Sequence, residues 1–222
     1  MSDCRTSPFP SFQRRGQGGG SGGERGGSGR GRLIRLFTNL AFVFTKMQRL
    51  PWIERKFHFD IPPGWLYNIS ARLAGTEARL RFLVQHITEE EARYKPDGKW
   101  SIKEHIGHLG DLEDLHLQRL GDFVKRNPML SIWDVTNSAT EKANHNDSSF
   151  ESLIDTFSGK RKQFNDKLWA LDDEAHTFQT LHPRLKILMK PVDMATFIAE
   201  HDDHHVASIM SIGQREEHHV TH

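Results

Sequence analysis

Cysteine is almost missing from this sequence: of 222 residues only Cys4 carries a thiol. One cysteine excludes an internal disulfide framework and a metal site made of thiolates. It also leaves the globular part without a nucleophilic thiol of its own, and it fits a reducing, cytoplasmic setting. Long apolar runs are missing too. The nearest approach, "LIRLFTNLAFVFTKMQRL" from Leu33, has an apolar part well short of the ~20 residues that a membrane span needs, and Arg35 interrupts it. No small-residue cleavage site follows it, which argues against a secretory signal. Strand-like alternation of useful length does not occur. Neither a phosphate-binding glycine loop nor a Ser-His-Asp arrangement is legible. What remains is a soluble composition, 27% charged and 36% hydrophobic.

The net charge of +1 hides a division. Residues 1–46 sum to +6, the remainder to −5, and all fourteen histidines fall in the acidic remainder. Nucleic-acid binding by that acidic part is unfavourable on charge. Ten of the eighteen glycines lie between Gly16 and Gly31, so the N-terminal tail is expected to be disordered. Its Arg-Gly tracts could attract nucleic acid through charge, and its Arg-rich, acid-poor character loosely suits a transit peptide. The reading favoured is that Met47 is the native start, because charge sign and glycine content both switch there. The division expected is a tail over 1–46, a helical domain over 47–214 and a polar C-terminal tail over 215–222. Proline-rich residues 47–64 form a lead-in.

Beyond Gly64 the apolar periodicity is helical. Four segments are expected: Trp65 to His86, Ser101 to Arg126, Ser149 to Leu171, and from Pro191 to about Gly213. Ser101 with Glu104 three residues on has the spacing of a capping box, and a Pro start with a Gly stop suits the last segment. Four amphipathic helices of this length predict an all-α four-helix bundle. Two long connections, 127–148 and 172–190, are of a length that is often functional, and could cover one end of the bundle.

The chemistry concentrates in "AEHDDHHVASI", Ala199 to Ile209. On a wheel at ~100° per residue, His201 and His205 fall at the centre of the face shared by Met194, Phe197, Ile198, Ile209 and Ile212. Asp203 points away, and Asp202 and His204 lie on the flanks. Two core-facing imidazoles one turn apart can reach a single metal ion. The competing reading is two neutral histidines bonded to carbonyls or to each other. A third protein ligand would come from another helix, and the second segment offers His105, His108 and His116. The wheel places His105 and His116 nearer the apolar face and His108 at its edge. Gly107 and Gly110 could open the backbone around His108 to a ligand, or simply allow close helix packing.

"WSIKEHIGHL" in the second segment and "HDDHHVASI" in the fourth, with "HPRL" between them, resemble the paired signatures of the DinB superfamily. The nearer likeness is to its YfiT-like branch of metal-dependent hydrolases and bacillithiol S-transferases. The resemblance runs from about Met47 to Gln214. It implies a four-helix bundle holding zinc or nickel on three histidines, which fall on His108, His201 and His205. Such a site leaves a position open for water or substrate. A divalent metal lowers the pKa of a bound water or thiol, so the attacking group would be a metal-bound water or a thiolate. The reactions expected are hydrolysis of a small-molecule substrate, or transfer of a low-molecular-weight thiol brought in as co-substrate. The non-enzymatic alternative is a metal-binding or stress-response bundle. Glu104 and Asp202 are candidates to orient the ligands, and His204 is a candidate base at the rim. A homodimer fits the size of the bundle, though no residue pattern argues for one.

Overall fold

The computed structural model describes residues 49–219, with side chains through 213. The N-terminal tail, with Cys4 and Met47, and the last three residues lie outside the described residues. The architecture is an all-α four-helix bundle. The first arm is α1 (Leu66–Ala74) followed by α2 (Thr76–Val84); the others are α3 (Ile102–Val124), α5 (Phe150–Trp169) and α7 (Pro191–His219). The α1–α2 arm and α3 are diagonal to each other, and each packs against both α5 and α7.

Local chemistry accounts for the helix starts. Ser101 accepts from the Glu104 amide while the Glu104 carboxylate accepts from the Ser101 amide, the reciprocal box read from the sequence. Ser149 caps α5 by accepting from the Ser152 amide. Pro191 is the first residue of α7, where a missing N–H costs no hydrogen bond. Asp193 in the first turn of α7 accepts from the amides of Lys190, Asp60 and Ile61, which ties the lead-in to that helix.

Three boundaries differ from the sequence expectation. The first arm breaks at Gly75, whose amide closes α1 on Ala71 O and whose carbonyl receives Arg79. Helix α7 does not stop at Gly213 but continues to His219, since a glycine without a left-handed turn only weakens a helix. The connection 172–190 carries a short helix, α6 (Asp173–Thr177), and a two-residue antiparallel pair, β1 (Thr180–Leu181) with β2 (Leu188–Met189). A parallel bridge joins Met129 to Leu181, so the two long connections are clipped together. Helix α4 (Ser138–Lys142) lies in the first of them.

The core has two apolar clusters. One gathers Leu66, Ile69 and Leu73 with Phe123, Phe164 and Ile198; the other gathers Leu80 and Ile106 with Phe157, Ile209 and Ile212. The residues between them along each helix are polar: Thr76, Glu113, Arg161 and Asp202. All four are buried, and Glu113 and Asp202 have no solvent exposure at all. Arg161 on α5 donates to Glu113 on α3 at 2.6 Å and to Asp202 on α7 at 3.0 Å, and Thr76 donates to Asp202 at 2.8 Å. Asp202, placed on the helix flank by the wheel, is therefore a core residue. Its charge is tolerated because a buried guanidinium answers it.

Candidate metal centre

Helices α3 and α7 bring His108, His201 and His205 together. One ring nitrogen from each lies within 4.8 Å of the other two. His201 Nε2 and His205 Nε2 are 3.1 Å apart, one turn along α7. Metal–nitrogen bonds of about 2.0–2.1 Å in tetrahedral geometry put ligand nitrogens about 3.3 Å apart, so a small side-chain adjustment would close the set. The donor set is three imidazoles with no thiolate, which suits zinc or a divalent transition metal rather than a hard cation such as calcium.

Burial sets the protonation. It pulls His108 down to about 4 against the opposing charge of Asp111, and it holds His201 and His205 well below the usual histidine range. All three are neutral at pH 7, the form that offers a lone pair. The tautomer of His108 follows from its partners. The Thr140 hydroxyl donates its only proton to Asp111 Oδ2 at 2.7 Å, so the 3.0 Å contact with His108 must run from Nδ1–H to the Thr140 oxygen. That leaves the Nε2 lone pair of His108 for a ligand. Asp111 also pairs with His145 Nε2 at 2.9 Å.

The remaining candidates take other places. His105, favoured by the wheel, stands behind His205, with Nδ1 to Nδ1 at 2.8 Å. A His205 coordinating through Nε2 could donate its Nδ1–H there. His116, the wheel's other choice, pairs with Glu113 at 3.2 Å. Glu104 is occupied by the helix cap and Lys95, and Asp202 by Arg161 and Thr76, so neither orients a site histidine. That role falls to Thr140 and Asp111. Asp111 was findable, three residues after His108 on the same helical face, but Thr140 sits in a connection where no spacing rule points to it. His204 lines the cavity beside Trp52, and burial, with Arg49 and Arg55 nearby, lowers it to about 4, which makes it a weak base. Gly107 and Gly110 admit neighbours rather than a ligand. A Cβ on Gly107 would fall 2.2 Å from the His145 ring, and Gly110 faces the Phe157 backbone.

The three histidines open into a cavity of about 510 Å³. Trp100 lies 4.6 Å from the His108 ring and Trp52, from the lead-in, 5.1 Å from His201, so indoles cover the imidazoles on two sides. Both long connections contribute walls, through residues such as Ile132, Val135 and His182. Among the described residues no helix is long and apolar enough to cross a membrane.

Among solved structures the chain is similar to YfiT from Bacillus subtilis, described as a probable metal-dependent hydrolase with an unusual four-helix bundle topology. The TM-score is 0.64 at 17% identity, over 74% of this chain and 94% of that one. No curated protein matches the chain. The family model of the DinB superfamily matches residues 72–209. With that model covering more than half of its length, and with a bundle of the same kind, the chain belongs to the DinB superfamily.

Proposed function

We propose that this protein is a divalent-metal-dependent hydrolase of a small-molecule substrate, with His108, His201 and His205 as the metal ligands and zinc or nickel as the metal. One observation carries the reading: three neutral imidazole nitrogens converge within 4.8 Å where a roomy cavity opens. Three protein ligands leave a position for water or substrate, the layout of a catalytic rather than a structural site. A divalent metal held there supplies Lewis acidity and lowers the pKa of a ligand water. The protein's own residues do the rest. Asp111 and Thr140 hold His108 in the tautomer that ligates, His105 backs His205, and Trp52 and Trp100 limit the water that reaches the imidazoles. The likeness to YfiT supports the fold, and its description as a probable metal-dependent hydrolase agrees with this reading.

The test is metal analysis joined to turnover. Wild-type protein should bind one zinc or nickel per chain and hydrolyse members of an ester and amide panel without added thiol. His201→Ala, which leaves two ligands, should weaken metal binding more than about 100-fold and abolish turnover while helicity is kept. Turnover that requires a small thiol would replace hydrolysis by thiol transfer. Stoichiometric metal with no turnover of ester, amide or thiol-electrophile pairs would leave a binding protein.

A further inference from the structure

Away from the histidines, the wall of the same cavity is cationic. Arg119 of α3 and Arg184 and Lys186 between β1 and β2 line it, and no aspartate or glutamate is among the described lining residues. Arg119 is 3% exposed, yet it has no ion pair among the described residues. Its Nε donates to Ser131 O at 3.0 Å, and its terminal nitrogens have no such partner. The acid one turn away, Asp122, is already occupied by Asn127 and Ser131. Burial, opposed by Asp122 and helped by Arg184, lowers Arg119 to about 10, so it stays charged at neutral pH. A buried guanidinium with no direct ion pair, facing a cavity, calls for a hydrogen-bond partner there.

His182 supplies an independent sign. It is 2% exposed, and its Nδ1 accepts from the amides of Arg184 at 3.3 Å and Leu185 at 3.2 Å. Burial, then Arg119 and Arg184, keep the ring neutral, with its pKa lowered to about 3. The proton must therefore sit on Nε2, and that buried Nε2–H has no partner among the described residues although the ring lines the cavity. Two guanidinium groups and one orphan N–H thus share a wall that contains no acid.

We infer that the substrate carries an oxyanionic head, a carboxylate or a phosphate, held by Arg119, Arg184 and His182 Nε2–H, with an apolar body lying along Leu112, Ile132 and Val135 toward the three histidines. Calling this molecule a substrate rests on the hydrolase reading; the anion subsite does not. Arg119 and His108 are eleven residues apart on α3, about 16 Å along the axis, so a bare small anion would not span the cavity. Guanidinium pairs with oxyanions by charge-assisted, often bidentate, hydrogen bonds, which a neutral amide cannot reproduce.

The experiment is calorimetric titration of the full chain, with metal removed by chelator, using 5-phenylvalerate, 4-phenylbutylphosphonate and the neutral 5-phenylvaleramide. At least one anion should bind about tenfold or more tightly than the amide, and the tighter of the two identifies the head group. Arg119→Gln should bring the anions to the level of the amide while leaving amide affinity unchanged. Arg184→Gln, at an exposed position with little bearing on folding, should reduce the anion preference several-fold. Equal affinity of all three probes for the wild type, or an anion preference that survives both substitutions, overturns the inference. Zinc binding, measured separately, tests the three-histidine reading, so either can fail without the other.

Discussion

Thr140 has one hydroxyl proton, and Asp111 takes it. That small fact orients His108, because the Thr140 oxygen can then only accept from Nδ1–H. Thr140→Val keeps the shape and removes the acceptor. Metal affinity should fall by about 10–100-fold with the fold intact, measured by competition with a chromophoric chelator. An unchanged affinity would mean that packing against Trp100 alone orients the ring. His201 and His205 were legible from their spacing on one apolar face. Choosing His108 over His105 and His116 was beyond the wheel, because the choice depends on which neighbour each imidazole meets: His205 for His105, Glu113 for His116. Asp202 looked like a boundary residue for the same reason, since a wheel does not show the arginine on another helix that makes its burial tolerable.

Arg161 is the element-scale counterpart. From α5 it reaches α3 and α7 at once, at the level where both apolar clusters stop. Burial alone would raise Glu113, but the Arg161 guanidinium overrides it and holds the carboxyl down at about 2. Arg161→Met would strand two buried carboxylates and should cost about 3–5 kcal/mol in urea unfolding. A loss below 1 kcal/mol would show that the carboxylates find water or protons without it. Helix starts were readable because caps are local: Ser101, Ser149 and Pro191 each act within one turn. The break at Gly75 and the run past Gly213 were not, because glycine permits a helix end without requiring one.

At the scale of the whole molecule, the polar groups gathered in the bundle's middle and cavity make stability depend on pH. His105 and His182 are lowered to about 3, and His108 and His204 to about 4, burial being the largest cause in each. Their folded pKa values lie below the unfolded value of 6.5, so between these limits the unfolded chain binds more protons. The stability they contribute is present above pH 6.5 and is lost as the pH falls toward 4 and 3. For chelator-treated protein the thermal midpoint should drop by at least about 5 °C between pH 7.5 and 5, and a flat profile would mean that these rings protonate in place. Periodicity, caps and the i, i+4 histidines were enough to specify an all-α bundle with a two-histidine core on its last helix, because those signals act within one helical turn. The third imidazole, His108, came from the family signature rather than from the wheel, and the Thr140–Asp111 support, the ionic layer and the cationic cavity wall required tertiary structure. Each joins residues far apart in sequence, and only the packing of α3, α5 and α7 with the two clipped connections decides which of them meet.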